Sequence, residues 1–100
     1  MFKMLKDLFS TGPKVDVQQL LEDGAVLIDV RSTSEYKSGH PKKAVNIPLD
    51  QLNSNLKKIK GYNKPVVTCC ASGMRSGMAA KQLKSQGIEA YNGGSWFNFN

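Results

Sequence analysis

The uninterrupted apolar run Ala25-Val26-Leu27-Ile28 constrains the fold of this chain more than any other feature. A strand with one solvated face alternates apolar and polar residues, whereas a strand buried on both faces is apolar throughout. Strands of the second kind occur in parallel sheets, because the helices that connect parallel strands cover both faces of the sheet. The run therefore predicts a parallel sheet between two layers of helices.

Extended and helical patterns alternate along the rest of the chain. Strands are predicted at residues 44–47, 66–68 and 88–91, and a helix at residues 76–86. Apolar residues recur every three or four positions through residues 49–59, which predicts an amphipathic helix that faces the sheet. This alternation is typical of the α/β class. We expect a doubly wound, mostly parallel sheet of about five strands with helices on both faces.

The chain is long enough for one domain, because 100 residues can fill a single hydrophobic core. Residues 1–13 are predicted to form an N-terminal amphipathic segment, and residues 14–100 the domain itself. No stretch approaches the roughly 20 apolar residues of a membrane span, and the first residues lack the pattern of a secretory signal. We therefore expect a cytoplasmic protein without a membrane span.

The turn between the third predicted strand and the following helix contains a thiol, Cys70, and a permanent positive charge, Arg75. In an open parallel sheet, ligands bind beyond the carboxyl ends of the strands. A helix that begins there offers free backbone N–H groups and the positive end of its dipole, which favour an anion and lower the pKa of a thiol. The sequence thus predicts a reactive cysteine beside a site for an anionic ligand.

The residues of this turn are, in order, Cys70-Ala71-Ser72-Gly73-Met74-Arg75-Ser76. This order resembles the active-site loop of the rhodanese-like sulfurtransferases. Upstream residues resemble two other signatures of that family in order and spacing, namely Asp29-Val30-Arg31 with Glu35-Tyr36 and Gly39-His40, and then residues 44–49. The resemblance covers about residues 15–96 and implies a rhodanese-like fold.

The resemblance also implies site residues and a reaction. Cys70 would be the catalytic nucleophile, and the other loop residues would bind the substrate: Ala71, Ser72, Gly73, Met74, Arg75 and Ser76. The Cys70 thiolate would attack the outer sulfur of thiosulfate or of a persulfide donor and hold that sulfur as a persulfide. A thiophilic acceptor, such as cyanide or a protein thiolate, would then remove it. The implied partners are a small anionic sulfur donor, a thiophilic acceptor and sulfur-exchanging proteins, with no cofactor.

Composition argues against two other kinds of partner. One histidine and two adjacent cysteines leave too few soft ligands for a four-coordinate zinc site, so no metal is expected. The net charge of +6 would suit nucleic acid, but the lysines are spread along the chain and the aromatic residues are not interleaved with them. We therefore expect no nucleic-acid partner. A basic surface equally suits anionic substrates or an acidic protein partner.

Two alternative functions stay open on the sequence alone. Counted from Cys69, five residues separate the thiol from Arg75, which is the spacing of cysteine phosphatases and of arsenate reductases. Against this alternative, Thr68 stands where those enzymes usually have histidine, and no aspartate is evidently placed as a general acid. The second alternative is a non-catalytic binding module of the same fold, although such domains commonly lack the loop cysteine.

Three residues near the loop are interpreted as structural. Asp29 ends a buried strand and is expected to accept hydrogen bonds from nearby backbone N–H groups. His40 follows a short helix predicted to begin with a capping box at residues 32–35, and a stabilised thiolate needs no histidine as general base. Cys69 and Cys70 should point to opposite faces of the sheet because side chains alternate along a strand, so Cys69 is expected to be an unreactive core residue.

Overall fold

Within residues 15–99, the part of the chain that this computed structural model describes, four strands form one sheet. The strands are β1 (Val26–Asp29), β2 (Val45–Asn46), β3 (Val66–Cys70) and β4 (Ala90–Ser95). All neighbours are parallel, in the order β2-β1-β3-β4. The parallel α/β fold is confirmed, although the expected count of about five strands exceeds the four found in these residues. The predicted N-terminal segment, residues 1–13, lies outside the described residues.

The helices of the described residues lie before, between and after the strands. They are α1 (Val17–Glu22), α2 (Thr33–Lys37), α3 (Leu56–Tyr62) and α4 (Met74–Ser85), with short 3-10 helices at Leu49–Gln51, Asn53–Asn55 and Trp96–Phe99. α1 begins at its N-cap Asp16, whose Oδ1 accepts the backbone N–H groups of Gln18 and Gln19, each at 3.1 Å. Across residues 15–99, no helix has both the length and the apolar character that crossing a membrane requires.

The predicted amphipathic helix over residues 49–59 is only partly formed. The segment starts as two 3-10 helices and becomes α-helical at Leu56. In the second 3-10 helix, Ser54 Oγ and Asn55 Nδ2 both donate to the carbonyl oxygen of Gln51, at 3.3 and 2.8 Å. Serine and asparagine disfavour an α-helix because their side chains compete for backbone groups in this way. The apolar residues nevertheless face the sheet as predicted, since Leu52 and Ile59 are buried in the core.

Alternating side chains of the strands divide the core into two layers. On one face of the sheet, α3 and α4 pack through Ile59 and Leu83 onto a layer that includes Ile28 and Val66. The opposite face is covered by α1, α2 and the C-terminal 3-10 helix. Its layer contains Leu27, Val67 and Cys69, packed against Leu20, Leu21, Tyr36, Trp96 and Phe99. Helices therefore cover both faces, as the sequence predicts.

β4 approaches β3 closely at Gly93. A Cβ atom at this position would lie 2.8 Å from the carbonyl oxygen of Thr68 and 2.6 Å from the ring of Phe99, so a side chain does not fit. The register between the strands shifts here, because Thr68 pairs with Asn92 whereas Cys70 pairs with Ser95. This irregularity places the end of β4 beside the loop that follows β3.

A buried ion pair joins the end of β1 to the segment that follows it. Asp29 and Arg31 are 0% and 4% exposed. The Asp29 carboxylate accepts the backbone N–H of Arg31 at 3.0 Å and the guanidinium Nη2 at 2.7 Å. The same guanidinium donates to the carbonyl oxygen of Gly39 at 2.7 Å and lies 4.3 Å from the ring centroid of Trp96. Asp29 accepts a backbone N–H, as predicted, and in addition neutralises Arg31.

We predict that Asp29→Ala lowers the free energy of unfolding by about 3 kcal/mol or more, because it leaves the buried charge of Arg31 unpaired. Thermal unfolding should show a fall in melting temperature of at least about 10 °C. The double variant Asp29→Ala/Arg31→Met should regain part of this loss, since no buried charge remains. The exposed Asp50→Ala is the control and should melt within about 2 °C of wild type. An unchanged melting temperature for Asp29→Ala would contradict the structural role.

Candidate active site

Cys70 lies at the carboxyl end of β3, where the chain turns into α4. Its side chain is fully buried, on the face of the sheet that α3 and α4 cover. Gly73 makes the turn and caps α4 with a φ of 101°, in the left-handed region that favours glycine. The sulfur therefore faces the first turn of α4, as the sequence predicts.

Two backbone N–H groups of the loop donate to Cys70 Sγ, from Gly73 at 3.0 Å and from Ser76 at 3.3 Å. The Ser76 hydroxyl oxygen lies 3.4 Å from the same sulfur. Burial by itself raises the pKa of Cys70, but the contact with the Ser76 side chain and the hydrogen bonds donated by the backbone N–H groups of Ser76 and Gly73 outweigh burial and lower that pKa. The positive end of the α4 dipole acts in the same direction. The loop therefore favours a nucleophilic thiolate.

The six predicted substrate-binding residues fall into two groups around this sulfur. Gly73 and Ser76 contact it directly. The remaining side chains lie at the rim of the turn, partly or largely exposed to solvent: Ala71, Ser72, Met74 and Arg75. Met74 is the most exposed large apolar residue among residues 15–99, at 73%. The loop thus combines a polar base around the sulfur with an open rim.

Asn92 on β4 holds the loop together, and no sequence motif identifies it in advance. Its Oδ1 accepts the Ser76 hydroxyl at 2.6 Å and the Gly94 backbone N–H at 2.9 Å, while its Nδ2 donates to the Gly73 carbonyl at 3.2 Å. Asn92 therefore contacts both residues that hydrogen-bond the sulfur. The one available signal was its place near the carboxyl end of a strand in a parallel sheet, where site residues collect.

The Arg75 guanidinium, which the sequence predicts to hold the donor's oxygens, is paired with Glu35 on α2. Arg75 Nη1 lies 2.7 Å from Glu35 Oε1 and Nη2 lies 3.0 Å from Oε2. Glu35 also closes the predicted capping box, since its Oε1 accepts the Ser32 backbone N–H at 2.9 Å. The Arg75 hydrogen bond, more than the contacts with Ser32, lowers the pKa of Glu35 to about 2. A contact between Arg75 and a donor stays a prediction.

Cys69 differs from its neighbour in orientation and in the pKa of its thiol. It is fully buried on the opposite face of the sheet, with Leu27 and Val67. Burial first, and then the negative charge of Asp29, raise the pKa of Cys69 to about 12. The predicted opposite orientation of the two cysteines is confirmed, and Cys69 is a protonated core residue at neutral pH.

His40 is exposed and makes its contacts with α2. Its Nδ1 lies 2.8 Å from the Tyr36 carbonyl oxygen, and its ring stacks on the Tyr36 ring with centroids 3.7 Å apart. The Tyr36 hydroxyl in turn donates to the carbonyl oxygen of Ala44 at 2.6 Å. These contacts hold the segment between α2 and β2, which supports the architectural interpretation of His40.

An open cavity of about 570 Å³ adjoins Arg75 at the carboxyl edge of the sheet. Its walls come from the segments after β1 and β2 and from α4, and include Ser32, Leu49, Asn53 and Gln82. This volume is in the range of small-molecule sites. Within residues 15–99, no group of three or more His, Cys, Asp or Glu side chains is placed to bind a metal ion. The cavity walls offer hydrogen-bonding groups and apolar surface to a ligand.

We predict that Cys70 alone reacts with iodoacetamide in the folded protein, and that its rate levels off at a lower pH than for an ordinary thiol. Ser76→Ala should move this pH midpoint upward, because it removes a side-chain contact that lowers the pKa of Cys70. Ser85→Ala is the control, since Ser85 Oγ donates to the Gln82 carbonyl at the far end of the same helix. Mass spectrometry of timed samples measures the rates. Equal alkylation of Cys69, or an unmoved midpoint in Ser76→Ala, would contradict this account.

Comparison with known proteins agrees with the geometry. The family model described as rhodanese-like domain matches residues 14–98. The uncharacterized protein YqhL of Bacillus subtilis is 45% identical over 69 residues, which are 68% of this chain and 54% of that protein. A tRNA sulfurtransferase of Thermoplasma acidophilum is 35% identical over 68 residues, 67% of this chain and 13% of that protein.

A solved structure is similar over most of both chains. The human single-domain sulfurtransferase TSTD1 has a TM-score of 0.64 at 30% identity, and the match covers 84% of this chain and 91% of that chain. By contrast, this chain spans about half the length of the first curated relatives that it matches, 54% and 43%. The similarity therefore concerns the domain described above.

Proposed function

Because the chain belongs to the rhodanese-like domain family, we propose that it is a sulfurtransferase that carries sulfane sulfur on Cys70. One observation carries the proposal: the buried sulfur of Cys70 accepts the N–H groups of Gly73 and Ser76 at the start of α4. These donors are already in place before any substrate binds. They can therefore stabilise negative charge without reorganisation during the reaction.

The reaction consists of two displacements at sulfur. In the first, the Cys70 thiolate attacks the outer sulfur of the donor, a bond forms between Sγ and that sulfur, and the donor's own bond to it breaks. The leaving group, which is sulfite when thiosulfate is the donor, keeps the electron pair. In the second, a thiophilic acceptor attacks the outer sulfur of the Cys70 persulfide and the Cys70 thiolate is restored. Neither step needs a cofactor or an outside oxidant.

Thiosulfate or a persulfide is the proposed donor, and cyanide or a protein thiolate the proposed acceptor. The similar proteins named as sulfurtransferases support transfer of sulfur at the level of the family. Glu35 leaves Arg75 with spare N–H donors, because a guanidinium has five and the ion pair uses two. A cytoplasmic location belongs to the proposal, since a reducing compartment keeps the nucleophile as a free thiol.

The phosphatase alternative has less support from the geometry. It needs Cys69 as a nucleophile, but burial raises the pKa of Cys69 to about 12 and its side chain lies on the face opposite to Cys70. The binding-module alternative leaves the hydrogen bonds to the Cys70 sulfur without a use. Sulfur transfer accounts for both observations.

We predict that wild type gains the mass of one sulfur atom on treatment with thiosulfate or a persulfide and loses it to cyanide. Cys69→Ser should behave in the same way, whereas Cys70→Ser should gain nothing, because Cys69 is protonated and faces the core. Intact-mass spectrometry decides the question. Retention of sulfur by Cys70→Ser, or its loss in Cys69→Ser, would overturn the assignment.

An assay with a small aryl phosphate tests the phosphatase alternative directly. Wild type should release no phosphate above the Cys69→Ser background. Robust release of phosphate that disappears in Cys69→Ser would instead support the phosphatase alternative.

We predict that Arg75→Ala lowers the specificity constant for thiosulfate about tenfold, as expected for one lost contact to a charged group that is half exposed. The same change leaves the Glu35 carboxylate without its partner beside an anionic donor. Steady-state kinetics on the folded variant measure the effect. Lys81→Ala, which removes an exposed positive charge farther along α4, is the matched control. An unchanged specificity constant for Arg75→Ala would remove Arg75 from the site.

A further inference from the structure

The positive charge at the rim of the loop is already neutralised within the protein. Both terminal nitrogens of Arg75 face the two carboxylate oxygens of Glu35, at 2.7 and 3.0 Å. The guanidinium can still donate hydrogen bonds, but the pair has no net charge. Its attraction for a small doubly charged anion is therefore weaker than that of an unpaired arginine.

Glu35 is held in this position by its own helix. Its Oε1 accepts the backbone N–H of Ser32, and the Ser32 hydroxyl accepts the backbone N–H of Glu35 at 3.3 Å. Turning the carboxylate away from Arg75 would also break the cap of α2. The Arg75 hydrogen bond lowers the pKa of Glu35 to about 2, so the carboxylate stays charged at physiological pH. A donor anion thus meets a fixed negative charge beside the guanidinium.

Two exposed methionines add apolar surface at the rim. Met74 and Met78 are 73% and 59% exposed and lie four residues apart on α4, so they are neighbours on one helix face. Exposed methionine offers flexible apolar contact to an organic group, and burial of that surface favours binding. A small hydrated oxyanion gains nothing from such contact.

From these two observations we propose that Glu35 is a specificity-determining residue that biases the site toward organic persulfides and away from thiosulfate. This inference rests on the sulfur transfer proposed above. With either donor, the Cys70 thiolate attacks the outer sulfur, the sulfur–sulfur bond of the donor breaks, and the leaving group keeps the electron pair. Thiosulfate releases a sulfite dianion, whereas an organic persulfide releases a thiolate that takes up one proton from solvent. The two donors therefore differ in charge and in apolar surface, which are the properties that the rim distinguishes.

The test compares two specificity constants for loading of Cys70, one for thiosulfate and one for benzyl persulfide released from a protected precursor. Glu35→Gln should raise the ratio of the thiosulfate constant to the persulfide constant about fivefold, the size expected for a half-exposed charge pair. Glutamine can still close the capping box, so the variant should keep its fold, which circular dichroism and thermal melting verify. The rise should shrink at high salt, because the effect is one of charge.

Glu89→Gln is the matched control. It removes the same charge from an exposed glutamate, whose carboxylate accepts a hydrogen bond from the Tyr91 hydroxyl at 2.6 Å. Glu89 lies just before β4, at the amino ends of the parallel strands, whereas Cys70 lies at their carboxyl ends. Its ratio should equal that of wild type.

The outcomes separate the two proposals. An unchanged ratio in a folded Glu35→Gln variant, or an equal rise in Glu89→Gln, would overturn the role of Glu35 while leaving sulfur transfer intact. Failure of wild type to load Cys70 from either donor would overturn the proposed function, and the inference with it.

Discussion

The region around the candidate site depends on one interaction, the buried ion pair of Asp29 and Arg31. A buried guanidinium is tolerable only when each side of it meets an acceptor or an aromatic face, and here Asp29, the Gly39 carbonyl and Trp96 meet that need. The pair thereby ties the end of β1 to α2 through the Glu35 carbonyl, to Gly39 just after α2, and to the C-terminal 3-10 helix. Because α2 carries Glu35, the same pair helps to position the helix whose carboxylate faces Arg75.

Two adjacent cysteines acquire opposite chemistry from strand geometry alone. Along β3, Cys69 faces the layer of α1 and Cys70 faces the layer of α4. Both are removed from water, and burial alone would raise the pKa of each thiol. The difference is that α4 begins beside one of them and supplies N–H groups to its sulfur. Access to hydrogen-bond donors, rather than exposure of the residue, distinguishes the proposed nucleophile here.

Much of this arrangement could be predicted from local patterns in the sequence. Apolar runs predicted the buried strands, and the residues between β3 and α4 predicted where the thiol lies. Contacts between distant residues could not be predicted in this way. Glu35 and Arg75 are 40 positions apart, and Asn92 reaches Ser76 from a different strand. The α-helix predicted over residues 49–59 was interrupted because serine and asparagine bonded to the Gln51 carbonyl, a competition that apolar spacing does not reveal.

The opposed directions of Cys69 and Cys70 also determine how a loaded sulfur could be discharged. An enzyme with a resolving thiol beside its nucleophile ejects the bound atom within the same molecule and closes a disulfide. This chain has two cysteines, and the second is turned into the core on the other side of the sheet. Cys69 therefore offers a sulfur atom on Cys70 no exit within this domain, and the residence time of that sulfur would be set by the encounter with another thiol. Such a domain would hold its persulfide sulfur until an acceptor protein or small thiol binds, rather than release that sulfur by forming an internal disulfide.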